Sequence, residues 1–495
     1  KVLNKELNLQ PVTETEILKV LYRLVMQDSI VVEENRVYIT QQHQEEEDTA
    51  SMIARKLHER IPVLTIEKEL EEAQEDLNIT LSEQQKEAVR MVFANPISII
   101  TGGPGTGKTT VLKIILYIYQ KKCGNEVKLM APTGRAARRM AESTGSGEAT
   151  TMHMALGLFG DGDYEALIDE LSADFINVDE VSMVDMHLAY EFFYKVKAGA
   201  RVLLIGDVHQ LPSVGAGDVF RQLILCGKIP VTVLNLVYRQ GKDSNIPINA
   251  QLINEGKTNL QWGDDFQMVE CSGADAAAQI VKNIYLKEIQ MYGMEQVQIL
   301  SPYKVRSAAG VLELNRSLQD EVNPPVSGKR ELHLGGEIFR EGDRILQNKN
   351  TEFASNGDLG TLVQIAEDED NNPLVQIVFT DGRRVKYEAE QVEMIEHANA
   401  ITIHKSQGSE CQVVIIPWLK AFYPMLKRNI FYTGISRAKQ RVYIVGEWKA
   451  VCQAIHTDDT GTRKTMLAVK IQQYCERYQR QENRRIPATI CNRAV

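Results

Sequence analysis

Residues 97–120 contain a glycine-rich loop of the kind that binds phosphate. The apolar run Ile97–Thr101 precedes the loop, and a helix-forming run follows it. Backbone N–H groups of such a loop can surround phosphate oxygens, and the N-terminus of the following helix adds positive potential. The pattern GxxxxGK[ST] is filled by Gly102, Gly103, Pro104, Gly105, Thr106, Gly107, Lys108 and Thr109, with Thr110 next. A chance glycine-rich turn would lack this strand–loop–helix context, so we predict an ATP site.

The chemistry of this loop requires an acidic partner on a neighbouring strand. Lys108 is suited to reach the β- and γ-phosphates, and the Thr109 hydroxyl to bind Mg²⁺. The apolar run Phe175–Val178 ends in Asp179 and Glu180. An Asp-Glu pair alone is usually a solvated strand end, but the upstream loop favours a catalytic pair. We predict that Asp179 holds Mg²⁺ and that Glu180 orients or deprotonates the attacking water.

Two later segments add polar groups to the same predicted edge. The run Arg201–Ile205 leads into a Gly-Asp-Val-His-Gln sequence, in which Gln210 is suited to sense a γ-phosphate and His209 is interpreted as structural. Arg239 could stabilise transition-state charge, although by itself it could also form a surface ion pair.

Short apolar runs alternate with helix-forming stretches over most of the chain, which is typical of parallel α/β domains. The first set of runs is Ile97–Thr101, Val127–Ala131, Phe175–Val178, Arg201–Ile205 and Val231–Leu234. The second set is Val297–Ser301, Ala400–Ile403, Val413–Pro417 and Arg441–Val445. We therefore predict two α/β domains, one over 79–240 and one over 241–335 with 396–495.

Two regions depart from this alternation. Residues 336–395 have the pattern of hairpins, with turn sequences at 356–358 and 381–382, and predict a small β-barrel inserted in the second domain. Residues 1–78 begin with an amphipathic helix and a hairpin, with strands at 30–32 and 37–40, and predict a helical, winged-helix-like domain. The apolar stripe of that helix consists of Ile17, Leu18, Leu21, Leu24 and Val25.

Composition limits the class of protein. The 495 residues are 43% hydrophobic and 25% charged, and none of the apolar runs approaches the roughly 18 residues that span a bilayer. The seven cysteines include no CxxC pair, so we expect a cytoplasmic chain with neither structural zinc nor membrane attachment. Most of the net charge of −10 lies within residues 1–80, so the acidic balance does not decide against a nucleic-acid partner.

Further motifs follow in a fixed order. They are APTGRAA (131–137), VDEVS (178–182), GDVHQLPSVGAGD (206–218), YRQ (238–240), ITIHKSQGSE (401–410) and YTGISRAK (432–439). The residues of these motifs and their order over residues 80–450 resemble the motifs of superfamily-one DNA helicases of the RecD/TraA type, which form the 5′-to-3′ branch. They are most similar to those of the stand-alone RecD-like helicases of bacteria. One departure is Val181, which stands where this family usually has Ala.

The resemblance implies two RecA-like domains with ATP and Mg²⁺ between them and single-stranded DNA across their tops. It implies a strand-separating pin within 150–172, an SH3-like barrel at 336–395 and DNA guidance by 351–353. Gln85 would contact adenine, Glu410 the nucleotide, and Arg239 and Arg437 the γ-phosphate. The implied DNA contacts are Pro132, Thr133, Arg135, Thr402, His404, Lys405 and Ser406.

The predicted function is that of a monomeric, ATP-dependent 5′-to-3′ DNA helicase that acts on single strands and duplex junctions in repair or recombination. Two alternatives stay open. A rigid hairpin within 150–172 would favour unwinding, whereas a loop there would favour an ATP-gated single-strand-binding or remodelling module. An exposed apolar patch on residues 1–78 would favour the motor subunit of a recombination nuclease complex.

Overall fold

The computed structural model describes residues 13–124, 126–158, 169–235, 244–351, 353–367, 372–459 and 461–485. Within these ranges, two parallel α/β lobes face each other, and an antiparallel sheet is inserted in the second. None of the helices in these ranges is both long and apolar enough to cross a bilayer. The division into domains at particular residues stays a prediction.

Lobe 1 is built on a parallel sheet with the described strand order β5-β4-β6-β7-β3-β8. Its strands are β3 (Ile97–Gly102), β4 (Val127–Ala131), β5 (Ala149–Thr151), β6 (Phe175–Val178), β7 (Arg201–Gly206) and β8 (Val231–Leu234). The five runs predicted from sequence are all strands here, because each is mostly apolar, and every residue of β3, β6 and β7 is buried, including the polar Ser98, Asn177 and Arg201. Because the strands are parallel, the loops after β3, β6 and β7 meet at one edge.

Helices cover both faces of this sheet. They are α3 (Glu67–Asp76), α4 (Glu83–Ala94), α5 (Lys108–Lys122), α6 (Gly134–Thr144), α7 (Met152–Ala155), α8 (Met186–Lys195) and α9 (Val219–Leu225), numbered after the two N-terminal helices given below. Two clusters of buried apolar side chains form the core, one on each face of the sheet.

Lobe 2 has a second parallel sheet with the order β18-β10-β19-β20-β9. Its strands are β9 (Phe266–Glu270), β10 (Val297–Ser301), β18 (Ala400–Thr402), β19 (Cys411–Trp418) and β20 (Ala438–Gly446). Its helices are α10 (Asn245–Asn254), α11 (Ala274–Tyr292), α12 (Val311–Val322), α14 (Arg428–Ile435) and α15 (Trp448–His456). The sequence did not indicate β9, whose pattern of partial burial resembles neither an alternating nor a continuous apolar strand.

The inserted sheet is antiparallel, with the order β16-β15-β14-β13-β17, beside the two-stranded hairpin β11-β12. Its elements are β11 (Glu331–Leu334), β12 (Glu337–Arg340), β13 (Arg344–Gln347), β14 (Leu359–Glu367), β15 (Pro373–Phe379), β16 (Arg384–Tyr387), α13 (Ala389–Val392) and β17 (Ile395–His397). A separate apolar core fills it. The insert contacts lobe 1 through Arg138 of α6, which pairs with Asp358 and Asp381.

The two ends of the described chain pack together on lobe 1. The N-terminal elements are α1 (Glu14–Met26), β1 (Ile30–Glu33), β2 (Arg36–Ile39) and α2 (Thr40–Leu57), and the last helix is α16 (Leu467–Arg485). Leu467 and Ile471 of α16 join the same apolar cluster as Ile53 of α2. The chain therefore leaves lobe 2 after α15 and returns to lobe 1.

Helix α1 does not pack as its sequence pattern suggests. None of its residues is buried. Large apolar side chains exposed within residues 17–39 are Ile17, Leu18, Val20, Tyr22, Val25, Met26, Val32, Val37 and Ile39. The amphipathic pattern predicted the helix correctly, but Ile17, Leu18 and Val25 of its apolar stripe are exposed, and Leu21 and Leu24 are only half-buried.

Candidate nucleotide site between the two lobes

The phosphate loop has the backbone that its glycines permit. Gly105 and Gly107 have φ of 75° and 82°, in the left-handed region that favours glycine. Helix α5 begins at Lys108, whose Nζ donates to the carbonyl oxygens of Gly102 at 2.6 Å and Gly103 at 2.9 Å. The ammonium group thus lies over the loop, where a phosphate would be held by the helix N-terminus.

Gln85 supports this loop from behind. Its Nε2 donates to the Thr106 carbonyl oxygen at 3.3 Å, and its Oε1 accepts the Ser82 amide at 3.0 Å. A Cβ on Gly107 would collide with the Gln85 amide, so only glycine fits there. Gln85 is absent from the described lining of the cleft, and its contact with adenine stays a prediction.

The acidic pair lies at the end of β6, across the cleft from the loop. Glu180 has a φ of 53°, a strained value for a residue with a side chain, which is typical of functional positions. Asp179 accepts the Glu180 amide at 2.8 Å. Burial, and next the charge of Glu180, raise the pKa of Asp179 to about 6, while Lys108 and Arg139 oppose the rise.

These residues fit a bound magnesium nucleotide. Two adjacent carboxylates in a desolvated cleft favour a cation, because a nearby positive charge stabilises the ionised form. Thr109 lies in the same cleft and offers a hydroxyl oxygen. The carboxylate and hydroxyl oxygens are hard ligands that suit Mg²⁺. The N–H groups of the phosphate loop are donors that suit the phosphate oxygens.

The cleft joins the two lobes and has a volume of about 230 Å³. Lobe 1 contributes residues 104–110 of the loop, Asp179, Glu180 and Gln210, and lobe 2 contributes Glu410, Ser436 and Arg437. The structure therefore brings together the residues that the sequence predicted for phosphate chemistry in both lobes. Arg239 lies outside the described residues.

Arg437 is held rigidly at the edge of lobe 2 facing this cleft. It is 3% exposed. Its guanidinium donates to the carbonyl oxygens of Thr433 at 3.2 Å and Ser409 at 3.4 Å and to the Ser436 hydroxyl at 3.0 Å. No carboxylate among the described residues pairs with it, so its charge is available to an anion in the cleft.

Hydrogen bonds join the lobes beside Gln210. Its Nε2 donates to Asp207 Oδ2 at 3.3 Å, and the same oxygen accepts the Tyr432 hydroxyl at 2.8 Å. Leu211 N donates to Thr433 Oγ1 at 2.9 Å. Burial, and next the charge of Asp207, hold the pKa of Tyr432 well above its usual value, so this hydroxyl keeps its proton. Gln210 Oε1 is buried without a described partner.

Arg139 is a residue of the cleft that the sequence reasoning missed. It extends from α6 and forms an ion pair with Glu410 of lobe 2. Glu410 also lies 3.4 Å from Lys439 Nζ. A signal for Arg139 was present in the sequence, since α6 has an arginine at 135 and two more, at 138 and 139, one turn later. Its partner Glu410, however, lies in the other lobe.

The predicted DNA contacts of lobe 1 lie at the start of α6. The Thr133 hydroxyl caps this helix by accepting the Ala136 amide at 3.3 Å. Arg135 has a buried Nη1 without a described partner, and burial, followed by the charge of Arg344, lowers its pKa to about 10. Pro132 is half-buried beside them. An unpaired guanidinium N–H of this kind would be satisfied by a phosphate oxygen.

The predicted DNA contacts of lobe 2 differ in their accessibility. Lys405 Nζ pairs with Glu396 at 3.0 Å, and Thr402 Oγ1 accepts the Lys405 amide at 3.3 Å. His404 is half-buried, and burial, then Lys427, lowers its pKa. Ser406 is 1% exposed and donates to the Ile403 carbonyl oxygen at 2.7 Å, so its hydroxyl stabilises the turn. This placement does not support a direct Ser406–DNA contact.

Two predicted features fall partly outside the described residues. Residues 159–168 of the predicted pin and residue 352 of the predicted guiding loop are not described. The described parts of 150–172 form the end of β5, helix α7 and a bridge between Leu171 and Val196. The pin therefore stays a prediction.

A phosphate loop, an acidic pair on a neighbouring strand and a second α/β lobe across the cleft define a two-lobed P-loop NTPase of the helicase type. Profiles of protein families agree. The AAA domain matches residues 80–274, the SH3 domain of ATP-dependent RecD-like DNA helicases matches 314–379, and the UvrD-like helicase C-terminal domain matches 397–445.

Two individual proteins with similar sequences indicate which helicases this chain resembles. The ATP-dependent RecD2 DNA helicase of Deinococcus radiodurans is 34% identical over 370 residues, covering 75% of this chain and 50% of that protein. The RecBCD enzyme subunit RecD of Haemophilus influenzae is 26% identical over 463 residues, covering 77% of this chain and 72% of that one. The chain belongs to the RecD-like family of superfamily-one helicases. It spans about half the length of the Deinococcus relative.

A solved structure of Pif1 helicases at forked double-stranded DNA is also similar. It is 19% identical, with a TM-score of 0.47, covering 74% of this chain and 92% of that chain.

We expect Asp179→Asn to stabilise the nucleotide-free protein while abolishing ATP hydrolysis. A folded pKa of about 6, above the ordinary 3.8, means that stability is lost as pH rises through 6, because ionisation is disfavoured by burial. A neutral amide removes this cost. The melting temperature at pH 7.5 should rise by about 1–4 °C.

The control for this change is Asp174→Asn, which removes an exposed carboxylate that pairs with Lys197 at 2.8 Å. Its melting temperature should stay the same or fall. A lower melting temperature for Asp179→Asn than for the wild type would contradict the cost assigned to burying the ionised Asp179 carboxylate.

Proposed function

We propose that this chain is the motor of an ATP-dependent DNA helicase that moves 5′ to 3′ on single strands and unwinds duplex junctions in DNA repair or recombination. The observation that carries the proposal is the inter-lobe cleft, in which Lys108, Asp179 and Glu180 of lobe 1 face Arg437 of lobe 2. Such a site can couple hydrolysis to lobe closure, since it is complete only when both lobes meet. By its likeness to a bacterial RecD2 helicase, we place this motor in the cytoplasm.

Each residue of the cleft has a chemical role in this proposal. Lys108 and the loop amides hold the β- and γ-phosphates, and Thr109 with Asp179 holds the metal ion. Magnesium, when bound, neutralises charge on the phosphate oxygens. Glu180 orients the attacking water and accepts its proton. Arg437 stabilises the charge that develops as the phosphoryl group transfers.

The proposed path for DNA is supported by polar groups of both lobes that do not line the nucleotide cleft. Arg135 offers an unpaired donor on α6. In lobe 2, Thr402 is the last residue of β18 and His404 follows it, so that both lobes present polar side chains near their strand ends. Alternate tightening of these two sets during closure would move a single strand in one direction.

The experiment that tests this proposal is unwinding of duplexes with a single-stranded tail on one end. Substrates with a 5′ tail should be unwound in the presence of ATP and Mg²⁺, and substrates with only a 3′ tail should not, by at least about tenfold in rate; the direction rests on family membership. A Glu180→Gln protein provides the control for contaminating helicases. Unwinding from 3′ tails alone would contradict the proposed polarity, and ATP-dependent binding without unwinding would favour the remodelling module.

A second function is favoured by one observation. The exposed apolar side chains of residues 17–39 match the surface expected of a subunit that docks into a larger complex. Relatives named as RecD subunits of the RecBCD enzyme are consistent with it. Sedimentation velocity would test this by comparing self-association of the wild type with that of the double variant Leu18→Glu, Tyr22→Glu. Self-association that is lost in the variant would show that this apolar surface mediates protein–protein association.

A further inference from the structure

The loop at 211–218 connects the nucleotide cleft with a second cavity between the lobes. It begins directly after Gln210, which lines the nucleotide cleft. The loop lines the other cavity, of about 320 Å³, together with His404 and Lys427. A shift of this loop would therefore change both the nucleotide cleft, through Gln210, and the second cavity, which is also lined by the proposed DNA contact His404.

After Leu211, which is buried in the apolar core of lobe 2, the loop has little apolar packing to hold it in one conformation. Val214 at its tip is 88% exposed. Gly215 and Gly217 lack side chains, and Gly217 has a φ of 88°. Glycine carries a large backbone entropy that must be overcome to fix a loop.

Besides hydrogen bonds at Leu211 and Ala216, the loop is held by one side chain from far along the chain. Arg463 donates to three carbonyl oxygens of the loop, those of Ser213 at 2.5 Å, Gly215 at 2.7 Å and Gly217 at 2.5 Å. A fourth contact of 3.5 Å reaches the Ser213 hydroxyl. No carboxylate among the described residues forms an ion pair with Arg463, so its donors serve the loop backbone.

Arg463 lies on the segment that returns from lobe 2 to lobe 1. On the lobe 2 side, Asp458 pairs with Arg428 at 3.0 Å and Asp459 pairs with Lys427 at 2.7 Å. On the lobe 1 side, α16 follows and is packed into the lobe 1 core. The four residue steps from Asp459 to Arg463 can span at most about 14 Å. Movement of lobe 2 beyond that reach must pull on Arg463.

We propose that Arg463 is a positioning residue that holds the 211–218 loop in register with Gln210 and transmits lobe movement to it. This inference rests on the proposed function, since the movement it transmits is closure driven by ATP and DNA. Arg463 contacts neither the nucleotide cleft nor its lining residues other than through this loop.

The first test measures the clamp without any ligand. Hydrogen–deuterium exchange of a peptide covering 211–218, in which the Leu211 amide donates to Thr433 Oγ1, should be at least about tenfold faster in Arg463→Ala than in the wild type, because a loop that has lost its three Arg463 contacts opens more often. The matched control is Arg480→Ala, an exposed arginine of α16 that pairs only with Glu476 in the described chain. Unchanged exchange in Arg463→Ala would overturn the proposal.

The second test measures the coupling. Stimulation of ATP turnover by a thymine oligonucleotide should fall about tenfold in Arg463→Ala, with the KM for ATP changed by less than about twofold. Arg463→Lys should recover only part of the loss, since an ammonium cannot reproduce a guanidinium fork. Full stimulation in Arg463→Ala would overturn the coupling.

The two tests separate the two hypotheses. If DNA does not stimulate even the wild type, the proposed function fails, while the exchange result still decides whether Arg463 holds the loop. If Arg463→Ala does not fold, Arg463→Lys carries both measurements, with a partial increase in exchange and a partial loss of stimulation expected.

Discussion

Arg437→Ala should reduce the rate of ATP turnover by about 10³- to 10⁵-fold and leave nucleotide binding largely intact, by analogy with arginine fingers. The guanidinium comes from lobe 2 and is held by Thr433, Ser409 and Ser436, so it contributes most when charge develops during phosphoryl transfer. Titration with a fluorescent ATP analogue beside steady-state hydrolysis measures both quantities.

The controls for this variant separate chemistry from folding. Arg437→Lys keeps the charge but cannot make the three donor contacts together, so turnover should recover only partly. Arg316→Ala, which removes an arginine from the exposed surface of lobe 2, should hydrolyse ATP at the wild-type rate. Normal turnover by Arg437→Ala would show that lobe 2 does not complete the active site.

Lys108→Ala should weaken ATP binding and also lower turnover by at least about 10²-fold. Lys108 lies over the loop, where it contacts the Gly102 and Gly103 carbonyl oxygens, and a phosphate there would lose its main cation in both the ground and transition states. A loss of uniform binding raises KM, whereas a loss specific to the transition state lowers kcat, so both parameters should change.

The matched control lies on the same helix. Lys122 is at the far end of α5 and pairs with Glu69 at 2.5 Å, so Lys122→Ala should leave both parameters near wild type. If Lys108→Ala lowered kcat while binding ATP with unchanged affinity, the role of Lys108 in the ground state would be wrong.

The two variants also distinguish the contribution of lobe 1 to nucleotide binding from that of lobe 2. Lys108→Ala should impair binding in lobe 1 whether or not the lobes close, whereas Arg437→Ala should impair only the closed state. DNA binding without nucleotide should be nearly unchanged in Arg437→Ala, because none of the proposed DNA contacts lines the nucleotide cleft.

Much of lobe 1 could be predicted from sequence, because its signals are local. A strand that is buried on both faces is mostly apolar, and the apolar runs therefore predicted β3, β6 and β7 nearly to the residue. The phosphate loop is contiguous, so its glycine positions encode its backbone directly. Strand β9 and the exposure of α1 were not predictable, since partial burial depends on which neighbours are present.

The sequence by itself determined the phosphate loop, the acidic pair and the order of motifs that identifies the family, since each depends on residues adjacent along the chain. Only the tertiary structure decided that Arg437 reaches the same cleft as Lys108, that Arg139 pairs with Glu410, and that Arg463 holds the 211–218 loop. These contacts join residues far apart in sequence, and they form only where the packing of two separate apolar cores brings the lobes together; no periodicity or spacing along the chain encodes that geometry.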